Sequence, residues 1–531
     1  MNTTKRVLTI LILILSYILL LFCFTHTFDY DLGWHLRFGR DIWQSASFPY
    51  QDTYTWAYQG QTWFNHEWGG DWFYWLVYGK LGYFPLLIIL SLPPFLAFIW
   101  CIKIFKPKIG LADAVIVLLS VHALRHVLVP RLAMFFPLFV VVLWYFLERL
   151  PRQKNYYFWP LLFWLWSVLH GSWILGFIII GIYIGGNILN LLCKKYYPRW
   201  YHTDQWNKKE IYTAILWSAI SGLAILINPY GWHIWQEVIT YFSAGYYKQY
   251  ITEWVPSYVY PVYAEPLVFM AITLPLALIA WYKKHITWPQ ILLYLAFWLA
   301  SFKYKRHALL FFLVAMPLLA IYAKEIKQKL LEVEKIKKIF SDKRTTIFLY
   351  STALICTGLL LAYFALEINI TKNIWGEKKL LTDVRMPVQA AEFLKEKTAG
   401  QKVLVFNEFN WGGYLEWTVP NALLYLDGRG TVSWMHASNE SMLEHYRKIK
   451  FEAGGLKELE SGPTQYVILE KISSSYYSRP NLINRIIFSD LDFQTIFSTE
   501  PPHLEKMLNK SPHWKKIYDD RSGGIWERIK E

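Results

Sequence analysis

Apolar runs of helix length recur through the first two thirds of the chain, separated by short basic stretches. The first, "VLTILILILSYILLLFCF" (7–24), is about 18 residues without a charge, enough for a helix to cross the ~30 Å hydrocarbon core of a bilayer. Lys5 and Arg6 ahead of it would also suit a signal peptide. No small-residue cleavage site follows, however, and similar runs come after it, so a retained first span is expected. Further runs at 84–105, 111–128, 131–148, 156–169, 172–193, 211–228, 265–282, 288–302, 306–323 and 346–366 bring the expectation to about eleven spans. The segment 156–193 reads either as a tight helical hairpin or as one kinked helix.

With the N-terminus inside, the loops "KIFKPK", "RLPRQK", "KKYYPRWYHTDQWNKK", "KK" and "KEIKQKLLEVEKIKKIFSDKR" face the cytoplasm. They hold far more Lys and Arg than the outer loops 25–83, 125–131, 229–264 and 303–306, which are longer in total. Each crossing then obeys the positive-inside rule, and an odd span count puts the C-terminal part outside. After "LAYFALEINI" (361–370) the pattern becomes that of a soluble domain. "MPVQAAEFLKEKTAG" has Pro387 near a helix start and Gly400 at its end. "KVLVF", "ALLYL", "TQYVIL" and "WKKIYDD" read as strands, with "SNESMLEHYRKI" and "PPHLEKMLNK" as helices between them. The expected fold is an α-helical polytopic membrane domain (1–369, with long outer loops 25–83 and 229–264) followed by an extracytoplasmic α/β domain (370–531).

Composition sharpens this picture in two ways. Only 18% of the 531 residues are charged and the mean hydropathy is +0.22, against about 25% charge in soluble chains. The net charge of +15 would suit nucleic acid, but the basic residues follow the topology, so the lipid bilayer is the expected partner and nucleic acid is not. Cys23, Cys101, Cys193 and Cys356 lie in or beside apolar runs without metal-ligand spacing and read as small buried hydrophobes. There is no Walker loop, no Gly-x-Gly-x-x-Gly after a strand and no Cys/His zinc pattern. That disfavours nucleotide-driven transport and nucleotide-sugar chemistry.

The chemistry concentrates in the first outer loop, "FDYDLGWHLRFGRDIWQSASFPYQDTYTWAYQGQTWFNHEWGGDWFYW" (28–75). Asp29 and Asp31 stand two apart, with His35 four further on, then Asp52, His66, Glu67 and Asp71. Hard oxygens with imidazole suit Mg2+ or Mn2+, or a general base at a membrane surface. Asp31 would also serve as a helix N-cap, and the tryptophans would also suit a lipid interface. Aromatic faces beside carboxylates equally match the ring faces and hydroxyls of a sugar.

"DYDLGWHLRFGRDIWQSASFPYQDTYTWAYQGQTWFNHEW" resembles the first outer loop of a group of bacterial polytopic proteins, with Asp-x-Asp-x-x-Trp-His-Leu, then Gly, then Pro-x-x-Asp, then His/Glu-Trp. It is similar to the GT-C superfamily of membrane glycosyltransferases. "WSVLHGSWILG" (166–176), "INPYGWHIW" (227–235) and "YITEWVP" (250–256) also look like segments of that group, so the resemblance covers nearly the whole chain. It implies a glycosyltransferase of the bacterial cytoplasmic membrane that takes sugar from a polyprenyl-phosphate carrier at the outer face and gives it to a glycan, lipid or protein acceptor. It puts the catalytic acid at Asp29 or Asp31, with His35, His66 and Glu67 completing a polar pocket. Glu253 of "ITEW" would join Asp29 and Asp31 around Mg2+ or Mn2+, as a later-loop glutamate does in oligosaccharyltransferases. Gly33 departs from the group, where an aromatic is common, and an altered substrate stack is expected.

Basic residues on the outer side need a compensating partner. Arg125, Arg131, Arg306 and His307 are candidates for the donor phosphate, with lipid headgroups as the competing anion. His170 is either functional or a satisfied turn histidine. In "VFNEFNWGGYLEWTVPNALLYLDGRGTVSW", Gly412 and Gly413 permit a tight turn after a strand. This segment resembles the C-terminal domain of the same bacterial group, making Trp411 and Asp427, with Asp52, His170 and Glu253, candidate acceptor or accessory residues. Two other readings remain: a non-catalytic GT-C-like protein that binds or presents a lipid-linked glycan, and a secondary transporter. The latter expects polar or broken helices at mid-membrane, whereas most charges here lie in loops, apart from Asp113 near the cytoplasmic end of a span.

Overall fold

The computed structural model describes residues 3–27, 29–150, 153–203, 205–243, 245, 251–254, 256–259, 264–332, 386–431, 434–436, 440–470 and 503–529, with isolated positions between 351 and 362. The chain divides into two compact units. The first comprises 1–28, 84–228 and 253–370; the second comprises 29–83, 229–252 and 371–531. The first long outer loop and part of the other thus belong with the C-terminal part of the chain, not with the spans.

The first unit is helical. A helix coincides with each apolar run from the first to 306–323, while 346–366 falls largely outside the described residues. Among the described residues six helices have the length and apolarity to cross a membrane: Lys5–Thr25, Tyr83–Phe105, Leu132–Arg149, Gly171–Tyr196, Ala264–Tyr282 and Lys305–Ala323. The other runs form shorter or less apolar helices, so eleven full spans are not what the structure displays. Local chemistry sets the ends. Asn207 and Glu210 form a capping box at the start of Lys208–Ala224, and Thr287 with Gln290 does the same for Trp288–Lys303. The run 156–193 breaks at His170, whose extended backbone separates Trp159–Leu169 from Ile174–Tyr196. Asp113, the charge inside a predicted span that the transporter reading singled out, accepts from Gly110 N at 2.6 Å and from Lys106 Nζ at 2.9 Å. It is a helix-start acid, not a mid-membrane transport group. Cys23, Cys101 and Cys193 are buried thiols.

The second unit is built on a mixed five-stranded sheet of order β2-β1-β3-β5-β4, with β1 Val403–Asn407, β2 Ala422–Leu424, β3 Tyr466–Glu470, β4 Trp514–Asp519 and β5 Gly523–Arg528. β1 pairs in parallel with β2 and β3; β5 is antiparallel to β3 and β4. Four strands fall on the runs read as strands. β5 was missed, because "GGIWER" opens on two glycines and alternates poorly. The helix Val388–Thr398 stops where Ala399 and Gly400 turn left-handed.

The first outer loop folds into this unit. Trp56 N donates to Leu424 O at 2.8 Å and Leu424 N to Tyr54 O at 3.2 Å, adding a short extension beside β2. Its helix Leu32–Ser45 meets the helix Gly412–Thr418 backbone to backbone: a Cβ on Gly33 would lie 2.0 Å from Gly413 O, and one on Gly413 would lie 2.5 Å from Tyr30 O. Two expectations are corrected here. Gly33 is required by packing, since an aromatic has no room. Gly412 and Gly413 open a helix pressed against Asp427 and Tyr30; they do not form a turn after a strand.

Candidate functional site

Within the second unit, His35 lies one turn into Leu32–Ser45 and its Nδ1 is hydrogen-bonded to the fully buried Asp71, in the first turn of Trp68–Leu81. Asn65 Nδ2 donates to the other oxygen of Asp71, and its Oδ1 accepts from Glu67 N at 2.9 Å. Glu67 Oε2 is 3.9 Å from His35 Nε2, and its Oε1 is 3.6 Å from His66 Nε2. Trp34 stacks on His35 at 3.6 Å. Asp29 is buried and accepts from Asp31 N at 3.3 Å. Asp31 stands at the N-cap position without a side-chain cap bond; its carboxylate accepts from the Trp34 indole at 3.2 Å and faces Gly428. Asp71 and Glu67 thus flank His35, Glu67 also reaches His66, and Asp29 lies near enough to act on the His35 charge.

The two imidazoles are driven in opposite directions. Burial lowers His35, but the Asp71 carboxylate and then Glu67 outweigh it and hold the ring up at about 9. Burial and the nearby His35 charge push His66 down to about 4. At neutral pH one ring is charged and the other is a free base, the division of labour expected of an acid–base site. The consequence for stability is two-sided. His35, raised, stabilises the fold fully below its ordinary 6.5 and loses that contribution as pH climbs through 9. His66, depressed, contributes above 6.5 and loses it as pH falls through 4. Thermal unfolding of the purified protein across this range should show the second unit most stable near pH 6.5, and His35→Asn should flatten the alkaline limb.

A second cluster in this unit is structural. Arg429, almost wholly enclosed, meets Asp52 at 3.1 Å, Asp427 at 2.5 Å and Glu416 at 3.1 Å. The rings of Tyr54, Trp63 and Trp434 surround its guanidinium at 4.8, 4.6 and 5.3 Å. Burial and then the Asp427 charge raise Glu416 well above the usual carboxylate range; Asp427, despite burial, is held down by Arg429. Glu416 thus keeps its proton while Asp52 and Asp427 flank the cation. Asp52 and Asp427, expected as acceptor contacts, are enclosed around Arg429, and the Asp52–Arg429 pair ties the first loop to the C-terminal part; Trp411 is likewise buried.

In the first unit, three sequence-distant residues meet. Glu253 Oε1 accepts from Arg131 Nη1 at 2.8 Å, and its Oε2 lies 3.7 Å from Arg306 Nη1. The Arg306 guanidinium covers the Trp254 ring at 4.4 Å, and Trp254 also meets His307 edge-on. Burial would raise Glu253, yet Arg131, Arg306 and Lys305 bring it down to about 2. Three cations around one carboxylate leave a net positive site, as an anion would need. Glu253 is thus matched to arginines rather than offered to a divalent cation. Arg125 does not join this site, being ion-paired with Glu265 beside His122. The His170 ring accepts from Ser172 N at 3.0 Å, as a turn histidine does.

Sequence reading missed Asn65, whose type carries no signal without its partners. It also missed His436, Glu440 and His445, the only three-ligand grouping of His, Cys, Asp or Glu among the described residues.

A scan against protein-family models returned no match, and neither did a search of curated proteins. Solved structures do resemble the chain. The apo oligosaccharyltransferase of Archaeoglobus fulgidus superposes with a TM-score of 0.53 at 11% identity, over 90% of this chain and 71% of that one. The same enzyme tethered to an acceptor peptide containing the NVT sequon gives 0.55 at 11%, over 100% and 75%. Its complex with an inhibitory peptide and a dolichol-phosphate gives 0.55 at 10%, over 99% and 74%. The likeness shows that the chain shares the fold of these oligosaccharyltransferases.

Proposed function

We propose that this chain is a membrane glycosyltransferase that moves a sugar or glycan from a polyprenyl-phosphate carrier to a glycan, lipid or protein acceptor at the outer face of the bacterial cytoplasmic membrane. The observation that carries this reading is the cluster of Glu67 and Asp71 around His35, with His66 on Glu67 and Asp29 close enough to act on the His35 charge, on a fold shared with oligosaccharyltransferases. One of those structures holds a dolichol-phosphate, which supports a lipid-phosphate donor here. Mg2+ or Mn2+ bound at Asp29 and Asp31 would supply Lewis-acid stabilisation of the leaving phosphate.

In this reading Asp29, or Asp31 beside it, orients the acceptor and takes its proton. His35, held charged, fixes the surrounding carboxylates, and His66 offers a neutral nitrogen to a second proton or hydroxyl. On the first unit, Arg131 and Arg306 are the groups to bind the donor phosphate, exchanging part of their pairing with Glu253 for its oxygens. Arg306→Gln removes a charge-assisted hydrogen bond of roughly 1.5–3 kcal/mol, so the donor KM should rise about 10- to 100-fold with kcat little changed. Arg125→Gln, whose guanidinium is engaged by Glu265, should leave the donor KM as it was. Steady-state transfer kinetics with varied lipid-phosphate sugar check both. Equal effects of the two substitutions would remove the Arg131–Arg306 site from the proposal.

A further inference from the structure

We propose that His436, Glu440 and His445 form a binding site for a zinc-type transition-metal dication in the α/β unit. One nitrogen of each histidine and one carboxylate oxygen of Glu440 all lie within 4.8 Å of one another. A dication about 2.0–2.2 Å from each donor needs only side-chain rotation to draw them in.

The local fold presents these groups together. Met435 bridges Ser441, His436 N donates to Glu440 O at 2.8 Å, and Met442 N donates to Trp434 O at 2.9 Å. The arms carrying His436 and Glu440 are thereby tied side by side. Ser441 then caps the helix Met442–Phe451, its Oγ accepting from Glu444 N at 3.0 Å, and His445 sits in the first turn of that helix. His445 Nδ1 is hydrogen-bonded to the Tyr425 hydroxyl. A ring nitrogen held in this way fixes the imidazole and turns Nε2 toward a ligand. Glu458 Oε1, 3.4 Å from that Nε2, is a ready fourth donor. Lys448 engages Oε2 of Glu440. The His436 and His445 rings are stacked at 3.7 Å, so binding requires the stack to splay until both nitrogens point at one ion.

Two imidazoles with carboxylates suit Zn2+ and its analogue Co2+, whereas Mg2+ and Ca2+ favour all-oxygen shells. The site acts as a clip: the arm bearing His436 also carries Trp434, one wall of the ring cage around Arg429. Metal binding would therefore stabilise the α/β unit without taking part in glycosyl transfer.

The test uses tag-free, full-length protein stripped with chelator and titrated with Co2+. The expected result is one Co2+ per chain with the visible d–d absorption of a tetrahedral site, displaced by Zn2+. His436→Gln and Glu440→Gln, both at half-buried positions, should each weaken Co2+ binding at least ~10-fold with unchanged far-ultraviolet circular dichroism. Full-affinity Co2+ binding in either variant, or no tetrahedral Co2+ spectrum in the parent, would overturn the proposal.

Discussion

Replacing Asp29 by asparagine is expected to slow glycosyl transfer about 10²- to 10⁴-fold, the range of a lost general base, with little effect on folding. The side chain is buried and accepts from Asp31 N at 3.3 Å. Asparagine has the same size, and its carbonyl can still take that hydrogen bond. An amide cannot accept the acceptor's proton, so the loss should appear in kcat under saturating donor while the melting temperature stays close to the parent's. Asp31→Asn should cost less, because the Trp34 indole already engages that carboxylate at 3.2 Å. A collapse of stability in Asp29→Asn would instead make the residue structural.

Arg429→Met should destabilise the second unit by about 3–5 kcal/mol, the range for removing one partner from a buried ionic cluster. Arg429 is ion-paired with Asp52, Asp427 and Glu416, at 3.1, 2.5 and 3.1 Å. Without it, carboxylates on both the first loop and the sheet face one another unbalanced, and the three-ring cage encloses no charge. Arg429→Lys retains the charge but not the fork that reaches three acids, so it should fall between the two. Adding Asp52→Asn to Arg429→Met should restore part of the loss. Thermal unfolding of the purified variants reads all three.

What the sequence revealed, and what it concealed, follows from range. Apolar periodicity is local, so it placed the helices of the first unit, and four β-runs with their helices announced the α/β sheet. Pairing between residues far apart in the chain leaves no local trace. Asp52 read as a possible ligand because its partner, Arg429, lies hundreds of positions away. Gly33 looked like a missing aromatic because the opposing backbone, Gly413, is equally remote. Glu253 looked like a metal ligand until Arg131 and Arg306 stood beside it. In the first loop Asp29, Asp31, His35, His66 and Glu67 stood out as residue types close in sequence, while the buried tie of His35 to Asp71, backed by Asn65, did not.

The measurement that bears most directly on glycosyl transfer is label transfer from a panel of radiolabelled polyprenyl-phosphate sugars by the purified protein in lipid, beside the Asp29→Asn/Asp31→Asn double variant. An EDTA lane reports whether a divalent cation takes part. The expected result is labelled acceptor from at least one donor with the parent protein and none with the double variant, whose donor binding persists. Transfer at the parent rate by the double variant would contradict the account, as would a parent that binds donor tightly and transfers from none.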